Sequence, residues 1–388
     1  MEIVDNKALL LRLRDPKTVV NIIPKSKQVG EHGVVVHWGM EEVQVLNNLG
    51  IDAPSPIEGQ YLWPGMFPPF QHQRHTAAFL TKNTRAFCFS EQGTGKTASA
   101  IWASDFLLNR GIIKRVLVIC PLSIMDSAWR DDLFSCAMHR TVDVAYGSAA
   151  KRRDIIGNGA DYVVINYDGV EIVMDAIKNG GFDLIIVDEA THYKNTQTKR
   201  WKMLNALVTP TTWLWMMTGT PAAQSPADAY GLAKLVNPSG VPRFAGAFRD
   251  KVMYKVTAFR WVPKPDSADT VHKALQPAIR YTKDECLDLP EMVYVNREVV
   301  LTLQQQKYYK ELKNNMHTSA AGEDITAVNA AIVMNKLLQI AGGAVYTDSG
   351  EALEFDISTG LGKHISVQSC SCRVALLSVI YTQCLTIE

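Results

Sequence analysis

The amino-acid sequence predicts an α/β protein in which helices cover both faces of a parallel β-sheet. Between about residues 68 and 240, short and continuously apolar runs alternate with longer helical stretches. Strands buried on both faces are apolar throughout, whereas strands with one wet face alternate between apolar and polar residues. Each run ends in polar or small residues, and ligands of α/β folds bind at the carboxyl ends of such strands. We therefore expect a ligand site along one edge of this sheet.

The predicted strands of this central domain are, in chain order, RAFCFS, RVLVICP, DYVVINY, FDLIIVDEA and TWLWMMTGT. Ahead of them, residues 1–60 contain the β-rich runs ALLLRLR, TVVNIIP and GVVVHW, followed by the helical MEEVQVLNNLG. We interpret these residues as a small β-rich N-terminal module. Residues 61–245 then form the α/β domain. Residues 246–346, with LTLQQQKYYKELKNNM and AVNAAIVMNKLLQIAGG, form a helical extension, and residues 347–388 a remnant or divergent tail.

Composition narrows the class of protein. The 388 residues carry a net charge of +1, so any nucleic-acid binding must come from a local patch rather than from a global basic field. No signal peptide and no apolar run of about 18 residues is present, which predicts a cytoplasmic protein that is neither secreted nor bound to a membrane. The 7 cysteines lack C-x-x-C pairs, and the spacing of Cys370 and Cys372 fits no structural zinc pattern.

The stretch FCFSEQGTGKTASAIW, residues 87–102, predicts a phosphate-binding loop between a strand and a helix. Backbone N–H groups around Gly93, Thr94 and Gly95 can cradle phosphate oxygens at the start of the helix. Lys96 can reach the β- and γ-phosphates of a nucleotide, and the hydroxyl of Thr97 can ligate Mg²⁺. The usual pattern G-x-x-x-x-G-K-[ST] is incomplete, because Ser90 stands at its first glycine. A similar stretch, STGLGKHIS, lacks the final hydroxyl and is interpreted as coincidence.

A strand that ends in acidic residues completes this type of site. The run FDLIIVDEATHYKN places Asp188 and Glu189 directly after a predicted strand. Asp188 can hold Mg²⁺ through water, and Glu189 can polarise the attacking water. Taken with the phosphate loop, these residues predict an ATP site in which Lys96, Asp188 and Glu189 are catalytic and Thr97 and Asp188 bind the metal.

These motifs, in their order from about Phe67 to Tyr346, resemble those of the Swi/Snf-type ATPases of helicase superfamily two, particularly compact bacterial or phage-like members. The resemblance implies a RecA-like fold for the central domain and ATP-driven action on double-stranded DNA in a bacterial or infected host cell. In the stretch FQHQRHTAAFL it implies that Gln73 reads adenine, with Gln71 as the alternative. His72 and His75 could also be read as a metal pair, although ordinary helix-start residues are preferred.

The resemblance assigns roles to four further stretches. CPLSIMDSAW and INYD imply contacts of Pro121, Ser123, Asn166 and Tyr167 with the DNA backbone. DEATHYKN implies the same for Lys194 and Asn195, although Thr191 stands at a position where the family has histidine. MMTGTP implies that Thr218, Gly219 and Thr220 couple the ATP site to the DNA face.

The later part of the chain is less regular. Lys283, the pair Leu289 and Pro290, Gln305 and Tyr309 match the helical extension of the family, whose double arginine is reduced here to Arg280. The basic stretch KNTQTKRWK, with Trp201, is either a phosphate contact or a solvated face. Family patterns stop near residue 360, from which we expect a truncated, split or frameshifted reading frame and a second RecA-like lobe on a separate chain.

The sequence thus predicts a DNA translocase that binds Mg²⁺ and ATP on its first lobe and hydrolyses ATP poorly on its own. One alternative is a nucleotide-gated DNA- or protein-binding module without turnover. Another is a strand-separating helicase or the motor subunit of a restriction system. The stretches Pro-Leu-Ser and Asp-Glu-Ala-Thr-His favour the Swi/Snf type over both of these.

Overall fold

The computed structural model describes residues 1–222, 224–257, 260–286, 301–320, 323–326, 330–349 and 351–355. The chain divides into two compact units, Met1–Pro290 and Glu291–Glu388. Several sequence predictions lie outside the described residues: the pair Leu289 and Pro290, the stretch STGLGKHIS, and the cysteines Cys370 and Cys372. None of the described helices is both long enough and apolar enough to span a membrane.

The first unit begins with a small antiparallel sheet. Its elements are β1 (Glu2–Val4), β2 (Ala8–Arg12), α1 (Pro16–Ile22), β3 (Lys27–Val29), β4 (Gly33–His37) and α2 (Met40–Asn48). The strand order is β1-β2-β4-β3. Alternate residues of β2 and β4, such as Leu9 and Val34, are fully buried with Trp38 in one apolar cluster. Period-two burial of this kind is what one covered face of an antiparallel sheet produces.

The prediction of a β-rich run at TVVNIIP is wrong, because these residues form most of helix α1. Asp15 caps the helix, with its carboxylate accepting a hydrogen bond from the N–H of Lys17 at 3.2 Å. Pro16 occupies the first helical position, where its missing N–H costs nothing and its fixed φ favours the helix. This start signal outweighs the β preference of Val19 and Val20.

The central domain follows after a linker. Its elements are α3 (Ile57–Gln60), α4 (Gln71–Lys82), β5 (Arg85–Cys88), α5 (Lys96–Asn109), β6 (Val116–Cys120), α6 (Asp131–Ala137), β7 (Val142–Val144), α7 (Ala149–Gly157), β8 (Tyr162–Asn166), α8 (Tyr167–Ile172), α9 (Met174–Asn179), β9 (Leu184–Val187), α10 (Lys199–Leu207), β10 (Trp213–Met217), α11 (Ala229–Val236), α12 (Ala245–Val252), β11 (Met253–Lys255), β12 (Trp261–Pro263), α13 (Ser267–Ala274), β13 (Ala278–Ile279) and α14 (Lys283–Cys286). Short 3-10 turns lie at Leu122–Ile124, Ala190–Tyr193, Pro226–Asp228 and Pro238–Gly240, and a π-helical segment at Met125–Arg130.

The central sheet has seven strands in the order β13-β5-β10-β9-β6-β8-β7, and all neighbours are parallel. Alternate residues of its strands enter two separate apolar clusters. Phe87 and Met216 belong to the cluster on one face, and Cys88 and Trp215 to the cluster on the other. The predicted α/β class, a parallel sheet with helices on both faces, is confirmed. The order places β10 between β5 and β9, so the loops that follow these three strands meet at one edge.

The second unit contains α15 (Leu303–Asn315), β14 (His317–Ala320), β15 (Glu323–Thr326), α16 (Ala330–Gly342), β16 (Ala344–Tyr346) and β17 (Ala352–Glu354). Helix α15 begins with a capping box in which Thr302 and Gln305 exchange hydrogen bonds. Gln305 is buried, and its Nε2 also donates to the carbonyl of Ile340 at 2.8 Å. Its position in the family pattern therefore coincides with a structural bond between α15 and α16.

Candidate nucleotide site and adjoining loops

The phosphate loop connects β5 to α5 and depends on two left-handed glycines. Gly93 has φ +85° and Gly95 has φ +78°, a region that side-chain-bearing residues rarely adopt. A Cβ at Gly95 would also overlap Nε2 of Gln73. Both glycines are therefore favoured by backbone conformation, and a Cβ at Gly95 would in addition require the amide end of Gln73 to move. The N–H groups of the loop lie next to the first turn of α5. Free N–H groups at the start of a helix favour the binding of phosphate oxygens.

Lys96 and Thr97 open helix α5 at the mouth of this loop. The ammonium of Lys96 donates to the carbonyl of Glu91 at 3.1 Å, within its own loop. Thr94 closes the same turn, with its hydroxyl bonded to that carbonyl at 2.8 Å. Lys96 and Thr97 are both partly exposed. The cation and the hydroxyl thus lie together at the helix start, where the sequence places phosphate and Mg²⁺.

Helix α4 packs against the loop through His72 and Gln73. His72 Nε2 lies 2.8 Å from the carbonyl of Thr94, and Gln73 Nε2 donates to the same oxygen at 3.4 Å. The other end of the Gln73 amide accepts the N–H of Phe70 at 2.9 Å. Gln71 is exposed, so of the two glutamines considered for adenine, Gln73 is the one in contact with the loop.

The histidine pair considered as a metal site has other partners. His72 bonds the phosphate loop, and His75 Nδ1 lies 3.3 Å from the hydroxyl of Tyr281. Within the part of the chain that the structure describes, no group of three or more His, Cys, Asp or Glu side chains could hold a metal ion. His72 and His75 therefore each contact another group of the described chain near the start of α4.

The acidic residues Asp188 and Glu189 follow β9. Asp188 is 7% exposed, and burial raises the pKa of its carboxyl. Three interactions oppose that rise: Nε1 of Trp129 donates to Oδ2 at 3.1 Å, the N–H of Glu189 donates to Oδ1 at 2.9 Å, and the charge of Lys96 lies nearby. The environment therefore holds one carboxylate at a fixed orientation facing the phosphate-loop lysine.

Glu189 connects this acidic segment to the phosphate loop. Its backbone has φ 48° and ψ 53°, a left-handed conformation that is uncommon for a residue with a side chain. Its Oε1 accepts a hydrogen bond from Nε2 of Gln92 at 3.4 Å. Strained backbone of this kind persists only where the surroundings fix it, and it concentrates at functional sites. The strain turns the carboxylate toward the loop that would hold the γ-phosphate.

The loop after β10 lies between these two parts. The N–H of Thr218 donates to the carbonyl of Cys88 at 3.0 Å, and a Cβ at Gly219 would lie 3.8 Å from the carbonyl of Ser90. Thr220 then turns away, with its N–H bonded to the Thr218 hydroxyl at 3.3 Å. Thr218 is fully buried and Thr220 is exposed. This loop therefore runs from the phosphate loop to the surface, the path expected of coupling residues.

The residues expected at DNA separate into two groups. Pro121, Ser123 and Asn195 are exposed or partly exposed at the carboxyl edge of the sheet. Asn166 is partly buried and accepts a hydrogen bond from Arg152 at 3.0 Å. Tyr167 is 7% exposed, and its hydroxyl donates to the carbonyl of Asp188 at 2.6 Å. The structure thus gives Tyr167 a contact with the acidic segment and leaves little of its side chain for DNA.

Lys194 lies beside the exit of the β10 loop. Its ammonium bonds Gln224 at 2.6 Å and Asp228 at 3.2 Å. These residues line a cavity of about 270 Å³ together with Thr191, His192, Thr220 and Pro221. The acidic segment and the β10 loop therefore share one concave surface, in which Lys194 forms an ion pair with Asp228.

The segment after β13 reaches the phosphate loop, which the sequence analysis did not foresee. Ser90 Oγ accepts the N–H of Tyr281 at 3.1 Å, and the N–H of Glu91 donates to the Tyr281 carbonyl at 2.9 Å. The N–H of Lys283 donates to Oε2 of Glu91 at 3.1 Å, and its Cε lies 3.7 Å from where a Cβ of Gly93 would stand. Lys283, expected in the helical extension, is thus a second cation at the phosphate loop. No local sequence signal links positions so far apart in the chain.

Comparison with known proteins gives a consistent result. The model of the family described as SNF2-related domain matches residues 72–342. A putative protein p41 of Acyrthosiphon pisum secondary endosymbiont phage 1 is 26% identical over 305 residues, covering 73% of this chain and 65% of that protein. An uncharacterized ATP-dependent helicase, YqhH of Bacillus subtilis, is 27% identical over 180 residues, covering 44% of this chain and 30% of the relative.

Among solved structures, a Sulfolobus solfataricus SWI2/SNF2 ATPase core in complex with dsDNA matches with a TM-score of 0.51 at 21% identity. The match covers 72% of this chain and 60% of the other, and it shows a shared fold. The chain therefore spans about two thirds or less of the length of these relatives.

Proposed function

Because the chain belongs to the SNF2-related domain family, whose model covers residues 72–342, we propose that it is the ATP-binding part of a DNA-directed motor of the Swi/Snf type. One observation carries the proposal: the phosphate loop, the acidic segment and the β10 loop meet at one edge of the sheet. Gln92 bonds Glu189, and Gly219 lies against Ser90. A site assembled in this way can sense a γ-phosphate and transmit its presence to a neighbouring surface.

On this proposal the nucleotide phosphates bind the N–H groups of Gly93 to Lys96, and the ammonium of Lys96 exchanges the Glu91 carbonyl for a phosphate oxygen. Thr97 and Asp188 fit the oxygen ligands that Mg²⁺ prefers and would hold it, and Mg²⁺ would neutralise charge on the transferring phosphoryl group. Glu189 orients and polarises the attacking water. Gln73 reads the adenine edge, since its amide already lies against the loop.

Lys283 adds to this site. Its side chain approaches Gly93 with no carboxylate within ion-pair distance among the residues described, and its backbone is anchored to Glu91. A cation held next to a phosphate cradle favours anionic ligands. We assign Lys283 a supporting contact with the nucleotide phosphates, in addition to Lys96.

The DNA face is proposed at the same edge. Pro121, Ser123, Lys194 and Asn195 lie on segments that follow parallel strands, and Asn166 is the last residue of β8. Lys194 borders the cavity shared with Thr220. Contacts with sugar and phosphate position a protein on a duplex without reading its sequence. The structural neighbour was solved in complex with dsDNA, which supports a duplex as the partner.

Hydrolysis by such motors needs charge from a second RecA-like lobe, where an arginine contributes about 10³–10⁵ in rate. We propose that the lobe described here works with a second lobe, carried by another segment or another chain. The coverage of relatives, 65% of the phage protein and 60% of the archaeal core, supports this. A module that binds ATP and DNA without turnover is the competing proposal.

The deciding experiment measures ATP binding and ATP hydrolysis by the 388-residue chain, with and without duplex DNA, against Lys96→Ala. Lys114→Ala is the matched control, because Lys114 is exposed and precedes β6 at the opposite edge of the sheet. DNA-stimulated turnover lost only in Lys96→Ala establishes a motor. Binding without turnover, unchanged when a second-lobe chain is added, establishes the binding module. A labelled duplex with one overhang separates a translocase, which leaves the strands paired, from a strand-separating helicase.

A further inference from the structure

A strongly basic segment lies outside all of the motifs discussed so far. Between Arg243 and Lys264 the chain has six basic residues and a single acid, Asp250, although the whole protein carries a net charge of only +1. Like charges concentrated on one surface repel each other and weaken the fold slightly. Such a segment is therefore expected where an anionic partner compensates the charge.

The basic segment folds into a hairpin in which β11 pairs antiparallel with β12, directly after α12. Two of its cations make cation–π contacts within the hairpin region. Arg249 Cζ lies 4.0 Å from the centre of the Trp261 ring, and Lys264 Nζ lies 5.2 Å from the centre of the Tyr254 ring. These four residues line a groove of about 490 Å³. These contacts restrict the two cationic side chains. Positive charge therefore lies along the groove already, and binding an anionic partner would cost less side-chain entropy.

Three cations of this hairpin, Lys251, Lys255 and Arg260, are exposed, and no carboxylate of the described chain lies within ion-pair distance of them. Lys255 Nζ also lies 6.0 Å from the centre of the Trp261 ring, and the one acid of the segment, Asp250, pairs with Arg249 at 3.8 Å. Some exposed cations of the same unit do have partners: Lys199 pairs with Glu171 and Arg200 with Asp168. What distinguishes the hairpin is that several cations without a carboxylate partner are concentrated within one short segment.

The hairpin adjoins the proposed DNA edge. Ser225 Oγ contacts Sδ of Met253 at 3.8 Å, which fastens β11 to the turn that follows Gln224. Gln224 and Asp228, on either side of that turn, hold Lys194. The basic groove therefore begins next to the cavity that contains Lys194 and Thr220, and it continues the same surface.

We propose that this hairpin is an additional binding surface for the phosphate backbone of duplex DNA. The inference rests on the proposed function, because it takes DNA as the partner, and it adds a contact that none of the motifs provides. Duplex DNA is favoured over unpaired strands because Arg249 and Lys264 already lie over the rings of Trp261 and Tyr254. Unpaired bases are bound by stacking on open aromatic faces, whereas a duplex presents its phosphates to cations.

The test replaces Lys251, Lys255 and Arg260 by glutamine in one variant. The matched control replaces Lys114, Arg153 and Lys178 by glutamine. These residues are also exposed, and their replacement removes the same charge. The affinity for a fluorescently labelled duplex of about 30 base pairs is measured without nucleotide at several salt concentrations. Each phosphate contact contributes about 0.9 to the slope of log K against log salt, so we expect the hairpin variant to lose about 2–3 in slope and at least about tenfold in affinity at low salt.

The outcomes separate this inference from the proposed function. Weaker binding and a smaller slope in the hairpin variant alone, with ATP binding unchanged, support the hairpin surface whether or not the chain hydrolyses ATP. If the hairpin and control variants lose affinity for the duplex equally, binding depends on the net charge of the protein and not on a particular surface, and the inference fails. Duplex binding unchanged in the hairpin variant overturns the inference and leaves the motor proposal intact. A parent chain that binds no duplex at all overturns both.

Discussion

The hydroxyl of Ser90 accepts a hydrogen bond from the backbone N–H of Tyr281 at 3.1 Å. Ser90 occupies the position where phosphate loops usually have their first glycine, and it is 2% exposed. The bond ties the loop to the strand segment after β13, which also exchanges a backbone bond with Glu91. The departure from the motif therefore has a structural role: the side chain at this position supplies an acceptor to the segment after β13, which glycine could not.

The first prediction concerns this bond. Ser90→Ala leaves the Tyr281 N–H without its acceptor, at a cost of about 1–2 kcal/mol in the attachment of the segment. We expect faster hydrogen exchange at the Tyr281 amide and a several-fold weaker affinity for ATP, because the segment that carries Lys283 loses one of its bonds to the phosphate loop. Ser90→Gly, which restores the usual motif, should have the same effect. Ser127→Ala is the control, since Ser127 is exposed and has no assigned role at the nucleotide site or the DNA face. A stronger affinity for ATP in Ser90→Gly would contradict the proposed role.

The second prediction concerns Trp129, whose fully buried indole donates to Oδ2 of Asp188. Partners that orient a metal-binding carboxylate typically change metal affinity about 10–100-fold when removed. Trp129→Phe should therefore raise the Mg²⁺ concentration needed for ATP binding by about tenfold, besides lowering stability. Trp102→Phe is the matched control, because its indole is also buried and donates to the carbonyl of Pro64 at 2.8 Å. The idea fails if both variants show the same Mg²⁺ dependence.

Sequence reasoning succeeds in this protein where the physics is local. Strands buried on both faces are apolar throughout, so the central sheet can be predicted from the sequence. The glycines of the phosphate loop likewise indicate where the backbone adopts a left-handed conformation. It fails where distant segments meet. The bond from Ser90 to Tyr281 joins residues separated by most of the domain, and edge strand β13 has only two residues, Ala278 and Ile279, too few for a periodic signal.

Local signals can also conflict. The run TVVNIIP is rich in β-branched residues, yet Asp15 and Pro16 start a helix there. Intrinsic propensities differ by a few tenths of a kcal/mol per residue, whereas one N-cap contributes about 1 kcal/mol. The conflict is resolved by the cap and by burial of Val19 beneath the N-terminal sheet, and burial in tertiary structure is not readable from propensity.

The third prediction separates binding from chemistry at Glu189. Glu189→Gln keeps the shape of the side chain and an oxygen that can accept from Gln92, but it removes the negative charge that would polarise water. General-base catalysis contributes about 10²–10⁴ in rate, so ATP hydrolysis should fall at least about 100-fold while ATP affinity stays within about threefold. Rates are measured with duplex DNA, and with the second lobe if that is needed for turnover. Glu58→Gln, at an exposed position of α3, is the control; an unchanged rate in Glu189→Gln would remove Glu189 from the mechanism.

The fourth prediction uses pH and concerns Asp132 on α6. Burial, with a smaller effect from neighbouring Asp131, raises the pKa of Asp132 from 3.8 to about 6. Its carboxylate has no hydrogen-bond or ion-pair partner among the described residues. Between these two pKa values the folded state holds a proton that the unfolded state has released. Stability contributed by this group is therefore present below about pH 4 and is lost as pH rises through about 6.

Asp132→Asn removes this titration. At pH 7.5 the variant should be more stable than the parent by about 1 kcal/mol, a value reduced for the partial exposure of the carboxyl, and the gap should close toward pH 4.5. Chemical denaturation at a series of pH values measures it. Asp154→Asn, at an exposed position of α7, should leave the profile unchanged. A gap between Asp132→Asn and the parent that stays constant with pH would mean that packing, and not the burial of charge, governs this site.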